Sequence, residues 1–270
     1  MDTTGFLGIL GLCGRQVFAC AGAGGKTTLC WRLWNEFRAI HAPAIFTTTT
    51  HMLEPVLPID SALMLAAAPE PTRIRRILHS ASGLILAASR LPDQLTRVDP
   101  NPIAPTRPVK LAGLAPHRMD ELTQALPDVT WLIEADGARG RGLKIPAAHE
   151  PAIPTRCDVV AIVAHLDVIG QPLDDTVVHR AEQLAAYLNV RIGDPIEADH
   201  LVRLLSDPNA GLTGVPNTAR TIAVLNQRDE AQPHAQADFI ARGLIASGRY
   251  ERVVVASLRA PQPVLRVFTT

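Results

Sequence analysis

"CAGAGGKTTL", Cys20 to Leu29, decides how the rest of the chain is read. A phosphate-binding loop follows the pattern G-x-x-x-x-G-K-[ST]: backbone amides cradle phosphates, the lysine reaches the terminal phosphates and the hydroxyl meets Mg²⁺. Counting back from Gly25, Lys26 and Thr27 puts the first glycine of that pattern at position 20, which is Cys20. The oxyanions in such a loop are held by the amides around Gly24 to Thr28 and by the positive end of the following helix, so the missing glycine removes little of the chemistry. The remaining stretch, Gly22, Ala23, Gly24, Gly25, Lys26, Thr27 and Thr28, lies between a buried-strand pattern and a helical one. That context favours a phosphate loop over a glycine-rich turn beside a surface lysine.

Working outward, QVFACA (16–21) is a candidate strand, and Leu29, Leu33, Trp34, Phe37 and Ile40 recur at the three- and four-residue spacing of one helix face. Further apolar runs follow at 44–49, 62–67, 84–89, 130–135, 159–166, 221–226 and 252–257, nearly all without alternation, as suits a parallel sheet covered on both faces. Helical patterns fall between them at about 73–80, 117–126, 176–189, 197–206 and 233–247. The expected fold is α/β, a P-loop NTPase-like, doubly wound, mostly parallel sheet with helices on both faces and ligands at the carboxyl ends of its strands. Residues 1–270 are read as a single domain, with an excursion at about 91–113 whose five prolines exclude a long helix, and a small helical insertion at about 170–215.

Two more strand ends carry chemistry. TWLIEADGARGRG places Glu134 and Asp136 at the carboxyl edge of a strand, where an acidic residue of a phosphate-loop protein holds Mg²⁺. Asp136 is the first choice for the metal and Glu134 the second, since strand alternation lets only one face the loop. VLNQRD (224–229) resembles the N-K-x-D element that reads guanine, with Asp229 accepting from the base edge and Asn226 tying the loop together. Gln227 stands where the lysine is usual, which leaves ATP and GTP both open.

Other polar residues mark a substrate or partner. Thr47 to Thr50 end a strand, and Thr48 and Thr49 can offer hydroxyls to a phosphate or a metal. Arg139, Arg141 and Lys144 follow the acidic strand end closely and can bind an anionic group. His149 and Glu150 lie in a proline-constrained segment, whereas His179 and Arg180 begin a helix whose buried stripe is Val177, Ala181, Leu184, Ala185 and Leu188.

Composition limits what else is possible. With 47% hydrophobic residues the chain can bury a sizeable core, and 26 basic against 26 acidic residues provide no global field for nucleic acid or an anionic membrane. The apolar GFLGILGLCG near the start is too short to span a bilayer. Cys13, Cys20, Cys30 and Cys157 have neither disulfide nor zinc spacing and read as free thiols of a cytoplasmic protein.

Taken in order, GAGGKTT (22–28), TTTTHM (47–52), EADGARGRGLKIPAAHEPAIP (134–154), VVAIVAHLDVIGQPLDD (159–175) with VHR (178–180), GLTGVP (211–216) and VLNQRD (224–229) resemble the YqeC family, from about Leu10 to Leu258. Two positions depart from the expected pattern: Gln227, and His51, where a lysine is more familiar. The resemblance implies a nucleotide-binding accessory protein that assists a selenium-dependent molybdenum hydroxylase, with that enzyme or its cofactor as partner. Three modes of action stay open. The chain is an NTPase using Lys26, Asp136 and Arg139 with Thr27-bound Mg²⁺, a nucleotide-gated cofactor carrier with little turnover, or an ATP-dependent ligase or kinase with a Mur-ligase-like loop.

Overall fold

A computed structural model describes residues 5–91, 109–228 and 233–270. The first part of the chain forms α1 (Phe6–Ile9), β1 (Val17–Gly22), α2 (Lys26–Ala39), β2 (Ala44–Thr48), β3 (His51–Leu53), β4 (Ser61–Leu65) and α3 (Pro71–Ser80). Then come β5 (Gly83–Ala87), β6 (Ser89–Arg90), β7 (Lys110–Ala112), α4 (Pro116–Ala125), β8 (Thr130–Glu134), β9 (Leu143–Lys144) and β10 (Val159–His165). The last part forms β11 (Val178–His179), α5 (Ala181–Leu188), α6 (Ala198–Ser206), β12 (Arg220–Asn226), α7 (Ala237–Ala246), β13 (Arg252–Ala256) and β14 (Val264–Thr269).

Nine strands make one sheet in the order β14-β13-β12-β10-β1-β8-β2-β5-β4. All neighbours run parallel except β13 and β14, so the fold is α/β with a mostly parallel sheet, as the uninterrupted apolar runs predict. The eight expected strands are all present. The edge strand β14 was not expected, because its exposed residues dilute the apolar signal.

Successive residues of β1 feed opposite cores. Val17, Ala19 and Ala21 face the side covered by α3 to α7, while Phe18 and Cys20 face α1 and α2. Leu29, Leu33, Trp34 and Phe37 of α2 are buried there, and Trp34 also donates through Nε1 to the Ala44 carbonyl at 3.2 Å. Burying each such side chain contributes about 1.5–3 kcal/mol. Ile40 departs from the expected stripe: it lies past the last turn of α2 and is 55% exposed.

The chain crosses β1 when it passes from β8 on one flank to β10 on the other. A crevice opens at such a switch point beyond the strand ends, and the glycine loop occupies it. Of the proline-rich excursion, residues 92–108 lie outside the described residues, while Lys110–Ala112 pairs with β3 and β6 in a small antiparallel sheet. Two helices, α5 and α6, fall within 170–215. The helix expected from 176 begins at Ala181 instead. Val178 and His179 pair with Leu143 and Lys144, and Arg180 adopts a left-handed conformation with φ 69° that starts the helix after it. No described helix is long and apolar enough to cross a membrane, and all four cysteines are free.

Candidate functional site

Gly22, Gly24 and Gly25 carry φ of 91°, 78° and 150°, values that side chains other than glycine's rarely adopt. A Cβ at Gly22 would stand 2.2 Å from the Val163 carbonyl oxygen, and one at Gly24 would stand 2.6 Å from Cβ of His165. The loop is thus pressed against β10 by glycine alone. Helix α2 starts at Gly25 without a side-chain cap, and the amides of Gly24 to Thr28 have no acceptor among the described residues. An uncapped first turn next to a glycine loop can receive an oxyanion.

The lysine and both carboxylates converge on this loop. Lys26 is 4% exposed, and its Nζ donates to the Gly22 carbonyl at 2.6 Å and stands 3.1 Å from Asp136 Oδ1. Burial alone would lower its pKa, but the Asp136 and Glu134 carboxylates outweigh that and raise it. Asp136 Oδ2 accepts from the Gly22 amide at 3.1 Å, and Glu134 Oε2 accepts from the Thr27 hydroxyl at 2.8 Å. Burial raises the Glu134 pKa, opposed by Lys26. Strand alternation therefore does not choose between the two acids. Asp136 lies beyond the end of β8, where the chain turns, so both reach the loop. Their neighbours differ: Glu134 shares Thr27, while Asp136 lies between two ammonium groups.

That second ammonium belongs to Lys144. Its Nζ stands 2.9 Å from Asp136 Oδ2, donates to the Gly137 carbonyl at 2.9 Å and to Glu150 Oε2 at 2.8 Å, and the residue is 3% exposed. Lys144, expected to meet an anionic group, is paired here with the protein's own carboxylates, and it lies in β9 where that strand pairs with β11. Glu150 Oε2 also accepts from Arg180 at 2.8 Å. A continuous ion ladder thus runs from Lys26 through Asp136, Lys144 and Glu150 to Arg180. Burial would raise the Glu150 carboxyl, but hydrogen bonds from Arg180 and Lys144 outweigh it and hold its pKa at about 2.

Thr48 and Thr49 also have partners inside the protein. The buried Thr48 hydroxyl donates to the Glu134 carbonyl at 2.9 Å and Thr49 to the Ala152 carbonyl at 3.0 Å, so both brace the strand end rather than offer free donors. A cavity of about 520 Å³ opens beside them, lined by Thr49, Thr50, His51, Gly137, Arg139, Glu150, His179 and Arg180 among others. Arg141 does not line it, and His149 is exposed to solvent.

Asn226 ties the loop down as expected. Its Nδ2 donates to the Gly24 carbonyl at 2.7 Å and its Oδ1 accepts from the Leu258 amide at 3.1 Å. Gln227 is 3% exposed and its Oε1 accepts from the His234 amide, so its stem is not free to cover a base. Asp229 lies outside the described residues. The sequence reading missed His165, whose backbone amide donates to Gly142 at 3.0 Å and whose side chain abuts Gly24. The signal was available: like Glu134 and Asn226, it is a polar residue closing a central apolar strand. Glu197, Asp199 and His200 could group around a metal, but Glu197 and His200 form the capping box of α6.

The chain matches the family model described as "YqeC protein" over residues 18–182, more than half its length. It is similar to the "Uncharacterized protein YqeC" of Escherichia coli (strain K12), 28% identical over 222 residues that cover 80% of this chain and 77% of that protein. No solved structure matches it. By the extent of the family match, which takes in the glycine loop, both acidic residues and the whole ion ladder, this chain belongs to the YqeC family.

Proposed function

We propose that the protein binds a nucleoside triphosphate, ATP or GTP, with Mg²⁺ at the glycine loop, hydrolyses it, and uses that cycle to assist maturation or cofactor insertion of a selenium-dependent molybdenum hydroxylase. The observation that carries the nucleotide reading is the set of amides from Gly24 to Thr28 that have no acceptor among the described residues, with the Lys26 ammonium held at the same loop. Positive φ at three glycines keeps those amides clear of Cβ atoms, so a polyphosphate can approach the backbone.

Thr27 and Glu134 fit a magnesium ion: a hydroxyl and a carboxylate, both hard oxygen donors, 2.8 Å apart at the loop. Asp136 supports them through Gly22 and Lys26 rather than as the first metal contact. The ion would neutralise charge on the phosphates. Lys26 would leave the Gly22 carbonyl for the terminal phosphate, where its ammonium offsets developing charge. A groove of about 480 Å³ runs along α2 from Thr28 past Trp31, Arg32 and Glu36 to Ala39, with Leu258 and Arg259 on its other side, and has the volume for a nucleoside. The hydroxylase client is inferred from the family resemblance. A nucleotide-gated carrier or a ligase would use the same loop.

A thermal-shift panel of ATP, GTP and their diphosphates with Mg²⁺ tests the site. Wild type is stabilised and Lys26→Ala is not; equal shifts in both would reject it. If Asp229 reads guanine, Asp229→Asn weakens GTP selectively and admits xanthosine nucleotides, whereas equal losses for ATP and GTP remove base reading. Phosphate release that rises when a molybdenum hydroxylase or its cofactor is added supports the enzyme over the carrier.

A further inference from the structure

The ion ladder ends in the cavity beside Gly137, and its charges there do not balance. Lys26, at the far end, is shared by Asp136 and Glu134, whereas at the cavity end the Glu150 carboxylate faces both Lys144 and Arg180. Arg139 adds a further cation on the cavity wall. Its guanidinium makes no hydrogen bond or ion pair among the described residues, and its backbone is held at φ 50°, an unfavourable conformation for a side chain of this size. Arg180 contacts the Ile145 carbonyl and Glu150 through one nitrogen only, so its other donors have no acceptor among the described residues. His179 lies on the same wall, where burial, Arg180 and Lys144 lower its pKa. The Gly137 side of the cavity is open, since a Cβ there would meet nothing within 4 Å.

We propose that this cavity binds a second, small-molecule substrate through a phosphate-monoester group, held between Arg139 and Arg180 with His179 beside it. A phosphate monoester carries about 1.5 to 2 negative charges at neutral pH and matches two guanidinium groups bidentately. The space, about 520 Å³, exceeds what a lone phosphate fills and suits a molecule with an organic body. The position deepens the nucleotide reading, on which it rests for what lies next door: Gly137 of the cavity wall directly follows Asp136, whose carboxylate accepts from the Gly22 amide of the loop. The sequence offers Arg139, Arg141 and Lys144 as one anion-binding group and His179 with Arg180 as a second pair; in the fold Arg139, His179 and Arg180 line one cavity.

Calorimetric titration of the full chain with ribose 5-phosphate, ribonate and ribose, with and without a saturating non-hydrolysable MgATP analogue, tests this. Saturable binding of ribose 5-phosphate is expected, weakened about tenfold or more by Arg139→Ala and restored in part by Arg139→Lys. Arg139 is exposed and has no hydrogen-bond or ion-pair partner among the described residues, so its loss leaves folding intact. The proposal is overturned by absence of saturable binding, by tighter binding of ribonate or ribose, or by binding that responds to Lys26→Ala and not to Arg139→Ala, which would place the probe in the glycine loop. If the analogue fails to bind while Arg139-dependent binding of ribose 5-phosphate persists, the nucleotide reading falls and the cavity site stands.

Discussion

Lys144 shows how far a residue's role depends on what surrounds it. In the sequence it is one cation of a basic loop; in the fold its ammonium is the hub between Asp136 and Glu150. Two carboxylates sharing a buried cation are worth more as a network than as pairs, because removing one member leaves a buried charge uncompensated. Glu150 provides the pH handle on this network. Its folded-state carboxyl titrates at about 2 against the ordinary 4.5, so the stability it contributes is complete above 4.5 and is lost as pH falls toward about 2. Glu150→Gln should therefore flatten the acid limb of stability over that interval, measured by urea unfolding at stepped pH. An acid limb as steep as that of the wild type would show that Glu150 does not carry it.

At the scale of elements, the junction of β1, loop and α2 is set by close approach rather than by hydrogen-bonding side chains. Gly22 pairs with Val163 across β1 and β10 at φ 91°, where a Cβ would run into the Val163 carbonyl. Gly22→Ala should cost about 2 kcal/mol or more, from left-handed strain and displacement of β10 together, read as a lower denaturation midpoint. A change within about 0.5 kcal/mol, the range of a neutral surface substitution, would mean the junction relaxes freely. Cys20, at the position of the missing pattern glycine, faces the α2 side, with its Sγ 3.2 Å from Cys30 Sγ. Its place in the strand, away from the oxyanion-facing amides, explains why a residue with a side chain is tolerated there. The helix signals were less secure than the strand signals. Residues before Ala181 show helical spacing but are claimed by pairing with β9, a tertiary demand that local periodicity does not contain.

Across the whole molecule, the glycine loop is secured by residues far along the chain. Asn226 reaches Gly24 over 202 positions and also receives the Leu258 amide, joining β12, the turn after β13 and the loop at one point. Asn226→Ala removes both bonds and should cost about 1–3 kcal/mol of stability. It should also reduce nucleotide-induced stabilisation more than Gln227→Ala does, measured by thermal shift with MgATP and MgGTP. If the two variants lose the same stabilisation, the anchoring role of Asn226 fails.

The sequence by itself determined the nine-stranded sheet's eight parallel members, the glycine loop, and the strand ends that supply Glu134, Asp136 and Asn226. Those features are written in short-range patterns: runs of apolar residues, glycine spacing, and a polar residue where a run stops. Tertiary structure alone decided that both acids reach the loop, that Thr48 and Lys144 are spent internally, and that Arg180, 41 positions after Arg139 in the numbering, shares a cavity with it. The physical reason is burial. Which charge is neutralised and which stays available depends on the dielectric and the partners that folding places around it, and no local pattern encodes that.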